Sequence, residues 1–175
     1  MKTISELRRS LPFLPQEVNS HLKYFCKNVN IDFDVFLPSK GFNLQRDFVW
    51  TIEQKRELIW SILIKRNIPR LALINIITED SGPDGIFQVI DGKQRLSAMF
   101  DFYNNKFTLL IDGKEYYYKD LPTDYQKVIG GYAFGYYLVN EDYNNEITDE
   151  QKIQWFMYIN FAGTPQDKEH FEKLK

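Results

Sequence analysis

The sequence predicts an α+β domain. Two β-branched apolar runs, Leu71 to Thr78 and Ile86 to Ile90, read as strands, while two threonine-led amphipathic segments opening at Thr51 and Thr148 read as helices. Between them, Asp112-Gly113 joins two short strand-like runs, the strongest short-range hairpin signal. A chain of 175 residues with 43% hydrophobic content can bury one sizeable core. One compact unit is therefore expected, in which residues 1–29 form an N-terminal helical segment and residues 30–175 the principal domain.

Taken in order, Leu14 to Val29 reads as an amphipathic helix with Val18, Leu22 and Phe25 on one face. From Ile31 to Val49, prolines and glycine favour extended structure and turns. Thr51-Ile52-Glu53-Gln54 has the form of a capping box, and the helix it opens carries Ile52, Leu58, Ile59, Ile62 and Leu63 at helical spacing. Pro69 limits that helix, because the residue before a proline avoids helical dihedrals. Ser81-Gly82-Pro83-Asp84-Gly85 supplies a turn between two adjacent strands, Leu71 to Thr78 and Ile86 to Ile90. Lys106 to Ile111 and Lys114 to Tyr118 flank the Asp112-Gly113 hairpin turn. A short helix over Thr123 to Val128 and a strand over Tyr132 to Val139 follow. After an acidic loop, Thr148-Asp149-Glu150-Gln151 repeats the capping box, with Ile153, Phe156, Met157 and Asn160 on one side of the helix. Gly163 ends it, and Thr164-Pro165 starts a last helix with a hydroxyl cap and a proline at the first position.

Composition narrows the function classes. With 22 Lys+Arg against 24 Asp+Glu, a broad basic surface for nonspecific nucleic-acid binding is not expected. One local cluster, Lys55, Arg56, Lys65, Arg66 and Arg70, is a candidate nucleic-acid patch, although an ordinary solvated helix face has the same composition. Cys26 is the only cysteine, which rules out an internal disulfide and fits a reducing, cytoplasmic setting. No apolar run approaches the roughly 20 residues needed to cross a bilayer, and the polar stretch Met1 to Arg9 lacks the apolar region of a signal peptide. His21 and His170 have no neighbouring Cys or His with metal-ligand spacing.

The chemistry concentrates at Asp91-Gly92-Lys93-Gln94-Arg95, between the strand ending at Ile90 and a helix-like run from Leu96. A strand that turns through glycine into a helix aims backbone N–H groups and the positive end of a helix dipole at one point. Lys93 and Arg95 add two cationic side chains there, and Asp91 offers a carboxylate for a metal or a water. That set suits a phosphate, in particular the phosphate tail of a nucleotide.

Three segments then match one family pattern in order: Leu44-Gln45-Arg46-Asp47-Phe48-Val49-Trp50, Val89-Ile90-Asp91-Gly92-Lys93-Gln94-Arg95-Leu96, and Ile159-Asn160-Phe161-Ala162-Gly163-Thr164-Pro165. Together they resemble the N-terminal domain of GmrSD-type restriction proteins, within the ParB/sulfiredoxin-like superfamily, over about residues 30 to 170. The family motif has glutamine where this chain has Lys93. The resemblance implies a small mixed sheet flanked by helices with further helices at the C-terminus, and a nucleotide-binding, NTP-hydrolysing module used in DNA restriction or phage counter-defence. It carries a phosphate-proximal motif onto Asp91, Gly92, Gln94 and Arg95 and further nucleotide contacts onto Arg46, Asn160, Gly163 and Thr164, and the positive charge of Lys93 adds to the same phosphate-binding reading. Its implied ligand is an NTP with Mg²⁺, and its implied partners are DNA, a nuclease subunit or a host defence protein. A sulfiredoxin-type activity needs a cysteine inside the motif turn, and none is present.

The expected chemistry is phosphoryl transfer, with Asp91 and Arg95 as its catalytic pair. Arg95 and Arg46 would stabilise charge on the transferring group, and Asp91 would either hold Mg²⁺ through water or orient the attacking water. A rival reading is a non-catalytic DNA- or protein-binding module in which the Lys55 to Arg70 stretch meets the partner. A weaker third is a DNA-nicking nuclease, which requires Glu53, Asp91 and Glu169 to converge.

Overall fold

A computed structural model describes residues 14–47, 49–78, 85–141 and 146–161. Among the described residues, nine strands and five α-helices are arranged around one mixed five-stranded sheet. The strands are β1 (Gln16–His21), β2 (Asn30–Asp32), β3 (Phe36–Leu37), β4 (Phe42–Asn43), β5 (Leu71–Ile76), β6 (Ile86–Asp91), β7 (Leu109–Ile111), β8 (Lys114–Tyr116) and β9 (Ala133–Glu141). The helices are α1 (Leu22–Asn28), α2 (Ile52–Leu63), α3 (Lys93–Tyr103), α4 (Thr123–Gly130) and α5 (Asp149–Phe161). The sheet order is β1-β9-β5-β6-β2, with β5 antiparallel to β6 and parallel to β9, and β2 parallel to β6. The expected α+β class and the pairing of the two β-branched runs are both present.

Strand β5 is central and is covered on both faces. Leu71 and Leu73 enter one core with Leu22 and Phe25 of α1, Ile59 and Ile62 of α2, and Leu96, Met99 and Phe102 of α3. Ala72 and Ile74, pointing the other way as strand alternation requires, enter a second core with Ile153, Trp155 and Phe156 of α5 and with Val35, Leu37 and Leu44. The uninterrupted apolar run at the start of β5 reflects this double burial. Phe25 anchors the first core through ring contacts to Phe87, Phe100, Phe134 and Tyr136 at centroid distances of 5.5, 6.3, 5.1 and 5.7 Å.

Local signals were read correctly where they are self-contained. In α2, Thr51 Oγ1 accepts from Gln54 N, and Gln54 Oε1 accepts from Thr51 N at 2.9 Å, which is the full capping box. At α5, Thr148 and Gln151 repeat the reciprocal pair at 3.3 and 2.9 Å. In the β7–β8 turn, Asp112 and Gly113 both take positive φ (49° and 78°), as a two-residue hairpin loop of the primed type requires.

Two expectations are corrected. The helix expected over Leu14 to Val29 is a strand followed by a short helix, because Gln16–His21 pairs antiparallel along β9 from Gln16↔Leu138 to His21↔Ala133. Val18, Leu22 and Phe25 do face one core, but as a strand residue followed by an i, i+3 helix pair rather than one helical stripe. Helix α2 also ends before Pro69 can act: Lys65 adopts φ +57°, and Arg66 N bonds back to Ser61 O at 2.9 Å, a left-handed C-terminal cap. The Ser81–Asp84 turn, the helix end at Gly163 and the Thr164-Pro165 helix start lie outside the described residues. Among the described residues no helix is long and apolar enough to cross a membrane.

Cys26 lies on α1 against the first core, and burial pushes its thiol pKa up to about 12. Disulfide-exchange reagents react with the thiolate, which is then a minute fraction near pH 8. In the native protein Cys26 is expected to react with a chromogenic aromatic disulfide at least about a hundred-fold more slowly than after unfolding in guanidinium. Equal rates in the two conditions would contradict the burial of this helix face.

Candidate functional site

The Asp91–Arg95 motif occupies the junction between β6 and α3. Gly92 takes φ +93°, a left-handed conformation that lets the strand turn at once into the helix. A Cβ at this position would lie 2.3 Å from Leu71 Cδ2, so the turn also requires the missing side chain. Gly92 has no side chain to cap α3, and the first helical bond runs from Leu96 N to Gly92 O at 2.9 Å. The N–H groups of Lys93, Gln94 and Arg95 precede that bond and are the orphan donors of the helix start.

Each motif side chain has a defined partner. Arg95 donates to Asp91 Oδ2 at 2.7 Å and to the Pro69 carbonyl at 2.5 Å; the side chains of Asp91 and Arg95 are only 17% and 16% exposed. Gln94 spends its whole amide on the preceding segment. Its Oε1 accepts from Val49 N (3.0 Å) and Trp50 N (3.2 Å), while its Nε2 donates to Asp47 O (3.2 Å). Lys93 is 6% exposed, and its Nζ lies 2.9 Å from Asp34 Oδ1, so its charge is already matched from the β2–β3 connection. Gln45 donates to the carbonyl of Val89 on β6.

These contacts enclose a cavity of about 150 Å³ lined by Gln45, Arg46, Trp50, Phe156 and the motif itself. Arg46 is exposed on this lining and makes no ion pair or side-chain hydrogen bond among the described residues. Asp91 is the one carboxylate on the lining among the described residues. The combination of uncapped helix N–H groups, a glycine whose Cβ space is filled and an unpaired guanidinium fits a phosphate group. One carboxylate beside bound phosphates is also a usual way for a protein to help hold Mg²⁺.

The structure brings Arg46, Asp91, Gly92, Lys93, Gln94 and Arg95 together around one cavity. Asn160 is separate: it is buried on α5 and donates to Phe156 O at 2.8 Å within its own helix, while Phe156, one turn earlier, reaches the lining. Gly163 and Thr164 lie outside the described residues. The expected basic patch is largely neutralised in place. Lys55 pairs with Asp101 (3.1 Å), Arg56 with Glu115 (2.8 Å), Arg66 with Glu57 (2.6 Å) and Arg70 with Glu17 (3.2 Å), leaving Lys65 as its exposed member without an ion pair among the described residues. Among the described residues no three His, Cys, Asp or Glu side chains gather to hold a metal; Glu169, part of the nuclease expectation, lies outside them. Sequence reading missed Asp34 and the Pro69 carbonyl, since neither carries a motif signal and both reach the site only through the fold.

The family model for the N-terminal domain of the GmrSD restriction endonuclease matches residues 23–174. The chain belongs to that family, which gives it a role in restriction and defence. Comparisons with curated proteins and with solved structures found no match.

Replacing Gln94 by alanine removes three hydrogen bonds to the 47–50 segment and leaves the part-buried Trp50 N–H and the exposed Val49 N–H without this partner. The expected loss is about 1–3 kcal/mol in chemical denaturation, with faster hydrogen exchange at the Val49 and Trp50 amides. Exchange at those two amides equal to the wild type would show that Gln94 does not hold the segment.

Proposed function

We propose that this GmrSD-type domain binds the phosphate tail of a nucleoside triphosphate, with Mg²⁺, in the cavity at the start of α3, and that it hydrolyses the nucleotide. The observation that carries this reading is the pairing of uncapped α3 N–H groups with Arg46, a cation on the cavity lining without a carboxylate partner among the described residues. The N–H groups of Gln94 and Arg95 would donate to phosphate oxygens, and the helix dipole would add to their pull. Arg46 would supply a two-pronged charged contact and stabilise negative charge that builds on the transferring group. Bound Mg²⁺ would neutralise phosphate charge; Asp91 would hold that ion or orient the attacking water. Arg95 acts mainly as a positioning residue, since its guanidinium is already shared between Asp91 and Pro69.

The neutralised state of the Lys55–Arg70 stretch speaks against the rival reading in which that stretch binds DNA. A nucleotide is the better-supported ligand of the motif.

Thermal unfolding with ATP, GTP, CTP and UTP plus Mg²⁺ tests this. At about 100 times its dissociation constant, a bound nucleotide adds roughly 2.7 kcal/mol, an upward Tm shift of about 5–10 °C for a domain of this size. Arg46→Ala is expected to leave the ligand-free Tm within about 1 °C of wild type, because the side chain is exposed, and to remove most of the shift. Arg95→Ala should lower the ligand-free Tm itself, because it breaks the Asp91 and Pro69 contacts. Phosphate release then separates hydrolysis from a nucleotide switch. If none of the four shifts the Tm at millimolar concentration, the nucleotide reading fails and a DNA- or protein-binding role leads.

A further inference from the structure

A second concentration of positive charge lies away from the motif. A groove of about 680 Å³ runs between α1 and α4, and its lining includes Lys23, Lys27 and Lys127 with Tyr24, Tyr118 and His21. Among the described residues no carboxylate lines it. None of the three lysines makes an ion pair among the described residues, whereas the basic cluster of α2 and its exit is mostly matched to acids.

Lys23, and its like-charge repulsion with Lys27, oppose the stability of α1. Lys23 stands in the first turn, where the dipole disfavours a cation, and no acidic residue accompanies it there. Lys27 follows four residues later on the same face; its last-turn position suits the dipole, but it makes a like-charge pair with Lys23 that destabilises the helix. The N-cap residue, His21, makes no side-chain cap, its Nδ1 facing the Gly131 carbonyl at 3.0 Å instead. All three features burden a helix of only seven residues, and an anion lying along Lys23 and Lys27 relieves the first two.

The groove is built rather than incidental. Gly130 closes the α1–α4 approach: a Cβ there would meet Lys23 Cβ at 3.6 Å and the Tyr118 hydroxyl at 2.9 Å. The Lys23 stem therefore lies against the end of α4, opposite Lys127 in the same last turn. Tyr24 stands between Lys23 and Lys27 in sequence and is 54% exposed, a large aromatic held in solvent on a cationic lining. Point-charge ammonium groups with an accessible aromatic ring form the combination that holds a phosphodiester strand and stacks one of its bases.

We infer that the α1–α4 groove binds single-stranded nucleic acid, with Lys23, Lys27 and Lys127 on its phosphates and Tyr24 against a base. This site shares no residue with the motif cavity, so it stands or falls independently of nucleotide binding there. An acidic peptide would satisfy the lysines but leaves the exposed Tyr24 ring without a role.

The test is fluorescence anisotropy of a labelled oligothymidylate of about ten nucleotides, a length inside the usual site-size range, with the full chain and no nucleotide. Three phosphate contacts on a single strand give a slope of log K against log salt of about −2, so affinity falls roughly 20-fold from 50 to 200 mM salt. Joint Lys23→Ala, Lys27→Ala and Lys127→Ala substitution is expected to flatten that slope toward zero and weaken binding at least about 10-fold at 50 mM salt, with the Tm within about 2 °C of wild type. Tyr24→Ala is expected to weaken binding at least about 5-fold and leave the slope unchanged. Lys40→Ala and Lys114→Ala, exposed lysines outside the groove, serve as controls and should change neither quantity. No binding at 50 mM salt, a slope untouched by the triple substitution, or equal losses in the control variants would each overturn the assignment. Competition by polyglutamate together with an indifferent Tyr24→Ala would overturn it in favour of an acidic protein partner.

Discussion

The left-handed turn at Gly92 is the constraint on which the site and much of the core depend. It converts β6 into α3 without an intervening loop, and Leu71 of the central strand fills the space a side chain would need. Because the turn is tight, Asp91 ends the strand and Arg95 stands one helical turn later, close enough for a 2.7 Å ion pair across the junction. Arg95 reaches on to Pro69, so the entry of β5, the end of β6 and the start of α3 are tied through one guanidinium. A residue with a Cβ at 92 would carry backbone strain of about 1–3 kcal/mol and would also displace Leu71 from the first core.

In the proposed arrangement the motif is divided between holding itself together and meeting a ligand. Asp91, Gln94 and Arg95 bind protein groups through their side chains, and Lys93 is a nearly buried cation whose match is Asp34. Leaving such a cation unmatched would cost several kcal/mol in desolvation, which makes Asp34 part of the fold as much as of the site. The start of α3 has no side-chain cap, and Arg46 stands on the same lining without an ion pair among the described residues. The electrostatic offer to an anion therefore comes from the geometry of the turn and one arginine rather than from a cluster of motif side chains.

How much of this was legible depended on sequence distance. The capping boxes at Thr51 and Thr148, the Asp112-Gly113 hairpin and the strand–Gly–helix turn are encoded within a few residues each, and the motif's position at a helix start followed from them. Strand β1 was not legible, because Gln16–His21 is a strand only by pairing with β9 more than a hundred residues away. The same holds for charge. Lys55 to Arg70 looked like a cationic patch because its acidic partners, Glu17, Asp101 and Glu115, come from other segments. Lys93 looked available for the same reason, its partner Asp34 lying 59 positions earlier. Conversely, the lysines of the α1–α4 groove are unremarkable in sequence, since Lys127 joins Lys23 and Lys27 only when the two helices meet at Gly130.

The position of Arg46 follows from the contacts on either side of it. Gln45, immediately before, is bonded to the Val89 carbonyl of β6, and Asp47, immediately after, offers its carbonyl to Gln94 of α3. The chain is thus anchored on both flanks of Arg46 to the two elements that meet at Gly92, and Trp50 continues the anchoring through a further bond to Gln94. A guanidinium carried on a backbone fixed in this way loses less freedom on meeting an anion than one on an unanchored loop, and preorganisation of this kind raises affinity by lowering the ordering cost. The same logic explains why Gln94, which touches no ligand in the proposed arrangement, belongs in the motif. It holds the segment that carries the arginine, while the uncapped start of α3 beside it lines the same cavity.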